Sequence, residues 1–188
     1  MPSSRRSRRI RVLLLLGAVL ALAFPLRGQE ASLEYQVKAV YLLNFTRYVD
    51  WPPHARPASN NPIYICILGR DPFGNDLDAA VQGKRTQGHP IAVRRVTSVQ
   101  DAAGCHIVFQ TQSEWRSQRE TVLSLTERGI LTVGDSEQFA REGGVIGFVI
   151  SNETVRFVVN LRARERAGLT ISSRMLSLAT DLYEPDRR

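Results

Sequence analysis

Two cysteines, two tryptophans and three histidines in 188 residues leave most kinds of site chemistry short of material. The histidines, His54, His89 and His106, stand at no metal-like spacing with one another or with a cysteine pair. No metal centre is expected, and each reads as a surface or turn residue. Cys66 and Cys105 lie too far apart for a C-x-x-C redox centre. No G-x-S-x-G elbow occurs, and Gly83-Lys84-Arg85 lacks the upstream glycine of a phosphate-binding loop. Asp76 and Asp78 come nearest to an acid/base couple, yet carboxylates early in a helix ordinarily offset its dipole. These gaps argue against an enzyme, a metal and a cofactor. The chain also lacks an internal repeat and an apolar run of the roughly 20 residues that cross a bilayer.

What is present begins with an export signal. Arg5, Arg6, Arg8, Arg9 and Arg11 precede the apolar run Val12 to Phe24, followed by Pro25 and the small residue Gly28. That order is a secretory signal peptide, residues 1–28, with cleavage expected after Gly28. The full chain has 25 basic and 18 acidic residues; these five arginines and Arg27, which leave with the signal, bring the first number to 19. The excess of positive charge therefore belongs to the signal, and nucleic acid and membrane insertion are not expected of the mature chain. Residues 29–188 suffice for one domain that buries about two-thirds of its unfolded surface.

In an oxidising compartment an even cysteine count permits one internal bridge. Cys66 and Cys105 both fall on apolar, strand-like segments, IYICILG and CHIVFQ. Joined, they close a loop of about 40 residues, worth about 4 kcal/mol on a chain-entropy estimate. Left reduced, they would serve as small buried hydrophobes.

Leu33 to Val49 carries apolar residues at helical offsets and stops at Trp51-Pro52-Pro53. From Pro62 onward, short apolar runs alternate with amphipathic stretches. Strands are expected at Ile63–Leu68, Ile91–Val96, Cys105–Phe109 and Ile130–Val133, with a helix or helical turn over Phe73–Val81. Thr111-x-x-Glu114 matches a capping box for a helix through Glu127. Asp135 is the expected N-cap of a short helix through Arg141. Val145–Ile150 and Thr154–Asn160, separated by three residues, should form an antiparallel hairpin. Helices are expected over Leu161–Ala167 and again over Ser172–Leu182, the latter docking through Met175, Leu176, Leu178, Ala179 and Leu182. The fold class is α/β: one domain whose mixed, mostly parallel sheet ends in an antiparallel hairpin and is flanked by helices.

Three polar residues mark a candidate ligand site. Arg156 and Asn160 share one strand face because their separation is even, and Arg174 opens the helix expected to pack nearby. A guanidinium offers a bidentate fork to carboxylate or phosphate. The competing reading is a solvated strand face with a structural salt bridge to Glu153 or Asp181.

The opening helix QVKAVYLLNFTRYVDWP and the ordered segments ICILGRDPFG, GHPIAVRR, CHIVFQ, LTVGDSEQF and NLRARERAGLTISSRMLSLA together resemble the YfiR family of periplasmic regulators. The resemblance runs from Glu34 to about Leu182. It implies a periplasmic repressor that binds the periplasmic part of an inner-membrane diguanylate cyclase and so lowers cyclic-di-GMP signalling and biofilm formation. It also implies that Cys66 and Cys105 form a family disulfide. A second family bridge would fall near Phe139 to Phe148, where this chain has no cysteine. The long first helix has more apolar positions than one buried face requires, which makes it the first candidate for the partner surface; packing across the sheet or in a homodimer is the alternative. A periplasmic sensor of a small anionic metabolite is the second functional reading.

Overall fold

The computed structural model describes residues 26–184, with side chains from Leu33 onward. The basic and apolar parts of the expected signal lie outside the described residues. The chain divides into a unit ending at Glu34 and a unit from Tyr35 on. Of the first, the described part is the opening of helix α1 (Leu26–Tyr48). All that follows concerns the second.

The rest of α1 lays Ala39, Leu42, Phe45 and Thr46 on one buried face, the spacing of a helix pressed on a sheet. Where the helix ends, Val49–Asp50 (β1) extends to pair antiparallel with Thr170–Ile171 (β9). Pro52 and Pro53 then prevent further helix and open a short 3-10 turn, Pro53–Ala55. After them come β2 (Ile63–Leu68), α2 (Asn75–Val81), β3 (Arg85–Thr86), β4 (His89–Val96), β5 (Ile107–Gln110), α3 (Gln112–Trp115) and α4 (Arg119–Glu127). The chain continues through β6 (Leu131–Gly134), α5 (Glu137–Arg141), β7 (Ile146–Ser151), β8 (Thr154–Asn160), α6 (Leu161–Arg166), β9, α7 (Ser173–Leu176) and β10 (Asp181–Tyr183). The large sheet runs β10-β8-β7-β6-β5-β2-β4-β3. Its pairings are parallel except β7/β8 and β3/β4. The α/β class with a mixed, mostly parallel sheet is therefore present.

Side-chain alternation splits this sheet into two cores. In β2, Ile63, Ile65 and Ile67 point to the α1 side, while Cys66 and Leu68 join a smaller cluster with Val108, Leu125 and Ile130 on the other. On the α1 side the aromatics gather: Phe45 stacks on Phe148 at 6.0 Å and meets Phe157 edge-on at 5.4 Å. Tyr41 lies against the same two sheet rings, and Phe73 meets Phe109 edge-on at 4.8 Å. Five of the seven phenylalanines thus sit between helix and sheet, each pair adding about 0.5–1.5 kcal/mol beyond its burial.

Several expected elements differ in extent. The stretch from Thr111 to Glu127 is two helices, broken at Arg116–Gln118, where Ser117 Oγ donates to the Glu114 carbonyl and competes with the helical ladder. The capping box does not form: Thr111 Oγ1 pairs with Ser113 Oγ, and the Glu114 side chain lies over Gly69. A Cβ at Gly69, whose φ is +84°, would stand 2.9 Å from the Glu114 carboxyl carbon. The N-cap of α5 is Ser136, which accepts from the Phe139 N–H, and not Asp135. The helix expected over Ser172–Leu182 stops at Leu176, and Asp181–Tyr183 becomes β10, paired with the otherwise open edge of β8. Backbone pairing at an unfilled edge outweighs the helical spacing of Leu178 and Leu182, both of which stay exposed. The hairpin turn is tighter than expected, since Ser151 pairs with Thr154 and only Asn152 and Glu153, both at positive φ, remain in the loop.

Asp135 is free for another task because Ser136 caps α5. At the end of β6 it receives the Lys38 ammonium on Oδ1 and the Tyr35 hydroxyl on Oδ2, the latter at 2.6 Å. The Lys38 and Asp135 side chains are 3% and 11% exposed. This pair ties α1 to the sheet. Asp135→Ala is expected to lower unfolding free energy by about 3–5 kcal/mol in urea titrations, whereas Lys38→Met with Asp135→Leu recovers most of the loss. A loss below about 1 kcal/mol in the single variant would show that the pair does not anchor the helix.

Candidate functional site

Cys66 sits in the middle of β2 and Cys105 two residues ahead of β5, outside the strand in which it was expected. Parallel pairing of β2 with β5 brings the backbones alongside each other, and the Gly104 turn, at φ +80°, delivers Cys105 beneath Cys66. The two are joined by a disulfide with a Cα–Cα distance of 6.0 Å, and both residues are buried. The bridge lies in the smaller core, on the sheet face opposite α1. It ties the 97–104 turn, whose Ala102 and Val99 pack in the same small core, to the centre of the sheet.

Next to Cys105 is His106, buried rather than on the surface as its sequence context suggests. The Tyr64 N–H donates to its Nδ1 at 3.0 Å, so the neutral ring carries its proton on Nε2. The His106 carbonyl accepts from Trp51 Nε1 at 3.0 Å. Burial first, then the charges of His89 and Arg94, pushes the imidazole down to about 4. A cleft of about 430 Å3 opens here, at the amino ends of β2 and β5. Its walls include Arg56, Arg94, Arg128, His54, Tyr64, Cys105 and His106. Arg94 lies flat on Tyr64, its guanidinium carbon 3.4 Å from the ring centre.

Arg156, Asn160 and Arg174 are placed differently from one another. Arg156 and Arg174 are exposed, and Asn160 is buried. The Asn160 amide is occupied by structure: Oδ1 accepts from the Ala163 N–H, capping α6, and Nδ2 donates to the Ala140 carbonyl at 2.7 Å. Asn160 lines a second cleft of about 720 Å3 with Arg119, Arg141, Arg162, Arg166 and Tyr183; Arg156 and Arg174 do not line it. Asp78, the sequence's nearest candidate for a general acid or base, is engaged by the Arg95 fork, which holds its carboxyl below the usual range. Asp71 completes that cluster. Among the described residues no group of three or more His, Cys, Asp or Glu side chains converges as a metal site.

Sequence reasoning missed the basic cleft because its three arginines come from three separate segments, the 54–62 loop, β4 and the turn after α4. Only the pairing of β2 with both β4 and β5 brings Tyr64, Arg94 and His106 together.

Two outcomes follow from the bridge and its neighbour. Cys66→Ala with Cys105→Ala is expected to lower stability by about 4 kcal/mol in denaturant, and an unchanged midpoint would contradict the pinning role. His106 takes up a proton at about 4 when folded and near 6.5 when unfolded, so the stability present above about pH 6.5 declines as pH falls toward 4. Urea midpoints should drop between about pH 7 and pH 5, and His106→Gln should flatten that drop.

Among solved structures, a conserved domain protein from Vibrio cholerae O1 biovar El Tor matches with TM-score 0.50 and 13% identity, over 63% of this chain and 54% of its own. The ABC domain from Streptococcus pneumoniae, solved in complex with L-Trp, matches with TM-score 0.51 and 14% identity, over 79% of this chain and 60% of its own. At these identities the likeness is one of fold, and the chain spans less than two-thirds of either structure. No described helix is long and apolar enough to cross a membrane. The YfiR/HmsC-like family matches residues 35–180. With that match over nearly the whole folded unit, the chain belongs to the YfiR/HmsC-like family of periplasmic regulatory proteins.

Proposed function

We propose that the protein is an exported regulator that restrains an inner-membrane diguanylate cyclase by binding the periplasmic part of that enzyme, lowering cyclic-di-GMP signalling. The observation that carries this reading is the family match over residues 35–180. The buried Cys66–Cys105 bridge supports it, because such a bond persists where thiols are oxidised. The outer side of α1 supports it too. Val37 and Val40 are 37% and 50% exposed while the opposite side is fully packed, so apolar area stands ready for a partner to cover. Regulation requires a second state with weaker affinity, and loss of the bridge, releasing the 97–104 turn, is a physical route to one.

The test is capture of a cyclase from solubilised inner membrane, with and without reductant. Capture should occur, should fall at least about tenfold in Val40→Glu with melting temperature unchanged, and should weaken in reductant and in Cys66→Ser with Cys105→Ser. Failure to retain any cyclase would refute the repressor reading; capture indifferent to reductant would leave the repressor and remove the switch.

A further inference from the structure

We infer that the basic cleft beside the disulfide is a binding site for a small organic anion bearing a carboxylate or phosphate group. Neither the family match nor the partner proposed above assigns it. Three arginines converge on its walls, Arg56, Arg94 and Arg128, and no aspartate or glutamate lines it. Among the described residues none of the three forms an ion pair, whereas Arg95, Arg119, Arg141 and Arg164 each meet a carboxylate. Like charges gathered around a concavity without a counter-charge repel one another, and a bound oxyanion removes that repulsion.

The donors are prepared for such a guest. Arg94 is held by its stack on Tyr64, and among the described residues its side chain meets no hydrogen-bond partner, so its N–H groups remain available as a fork. Arg56 is fixed through Nε, which donates to the Trp51 carbonyl at 3.0 Å, leaving its terminal nitrogens available. His106 is locked by the Tyr64 N–H into the tautomer with a proton on Nε2, and its ring lies nearly parallel to Tyr64, 6.4 Å between centres. Neutral throughout the physiological range, it adds a donor without a further charge to be desolvated. A space of about 430 Å3 suits a metabolite-sized ligand better than a protein segment. Because Cys105 forms part of the wall, the bridge that pins the 97–104 turn also shapes the cleft.

Calorimetric titration of the purified protein at fixed ionic strength, with citrate and inorganic phosphate as probes, tests the site. Saturable, single-site binding is expected for at least one probe. Arg94→Gln and Arg128→Gln should each weaken it about tenfold, the effect of one lost charge-assisted contact, with circular dichroism and melting temperature unchanged. Arg156→Gln and Arg174→Gln, away from the cleft, should bind as the parent does. Binding that fails to saturate, or that is lost equally in Arg156→Gln and Arg174→Gln, would overturn the assignment. So would a surface for an acidic protein, seen as loss of cyclase capture in Arg94→Gln with no uptake of either probe.

Discussion

The structure depends on a buried ion pair joining its first helix to its sheet. Lys38 on α1 and Asp135 at the end of β6 meet almost out of reach of water, with the Tyr35 hydroxyl taking the second carboxylate oxygen. An aromatic layer alone would let the helix slide, since dispersion contacts between rings have no strong register. A charge pair in a low-dielectric setting does have one, because a shift of one residue leaves charge buried opposite the wrong group. With α1 in register, Phe45 meets Phe148 and Phe157, and the apolar surplus at Val37 and Val40 is left facing outward.

How much of this was legible in the sequence depends on whether a signal was local. Ile63–Leu68 was readable because a strand covered on both faces is a continuous apolar run bounded by turn residues. The helix breaking at Trp51-Pro52-Pro53 was readable for the same kind of reason. Thr111 and Glu114 matched a capping box in sequence, but Glu114 found a place over Gly69, more than 40 positions away, and the local motif yielded. Asp135 looked like an N-cap until a neighbouring serine took that role. Leu178 and Leu182 had helical spacing, yet the open edge of β8 drew Asp181–Tyr183 into a strand. Each departure has one cause: a distant partner offered more than the local pattern did.

The same reasoning separates the two ligand candidates. Strand parity and the expected nearness of a helix single out Arg156, Asn160 and Arg174, but Asn160 spends its amide on Ala163 and Ala140. The basic cleft gathers residues from the 54–62 loop, β2, β4, the start of β5 and the turn after α4, a set that only sheet order assembles. Charge that looked unremarkable along the chain, once the signal's arginines are set aside, becomes concentrated in space.

A last feature concerns the other half of the sheet. Phe139 of α5 is wedged between Gly134 and Gly144, where an added Cβ would stand 2.0 Å from its ring, and a Cβ at Gly147 would stand 2.4 Å from the Ser136 carbonyl oxygen. This is the neighbourhood in which the family resemblance implies a second cystine and this chain has none. What holds that region is the packing of Phe139 against these glycines. A chemical reductant therefore finds only one vulnerable seam, between β2 and the 97–104 turn, and would loosen the molecule on that flank while the flank built from β6, β7 and α5 keeps its shape.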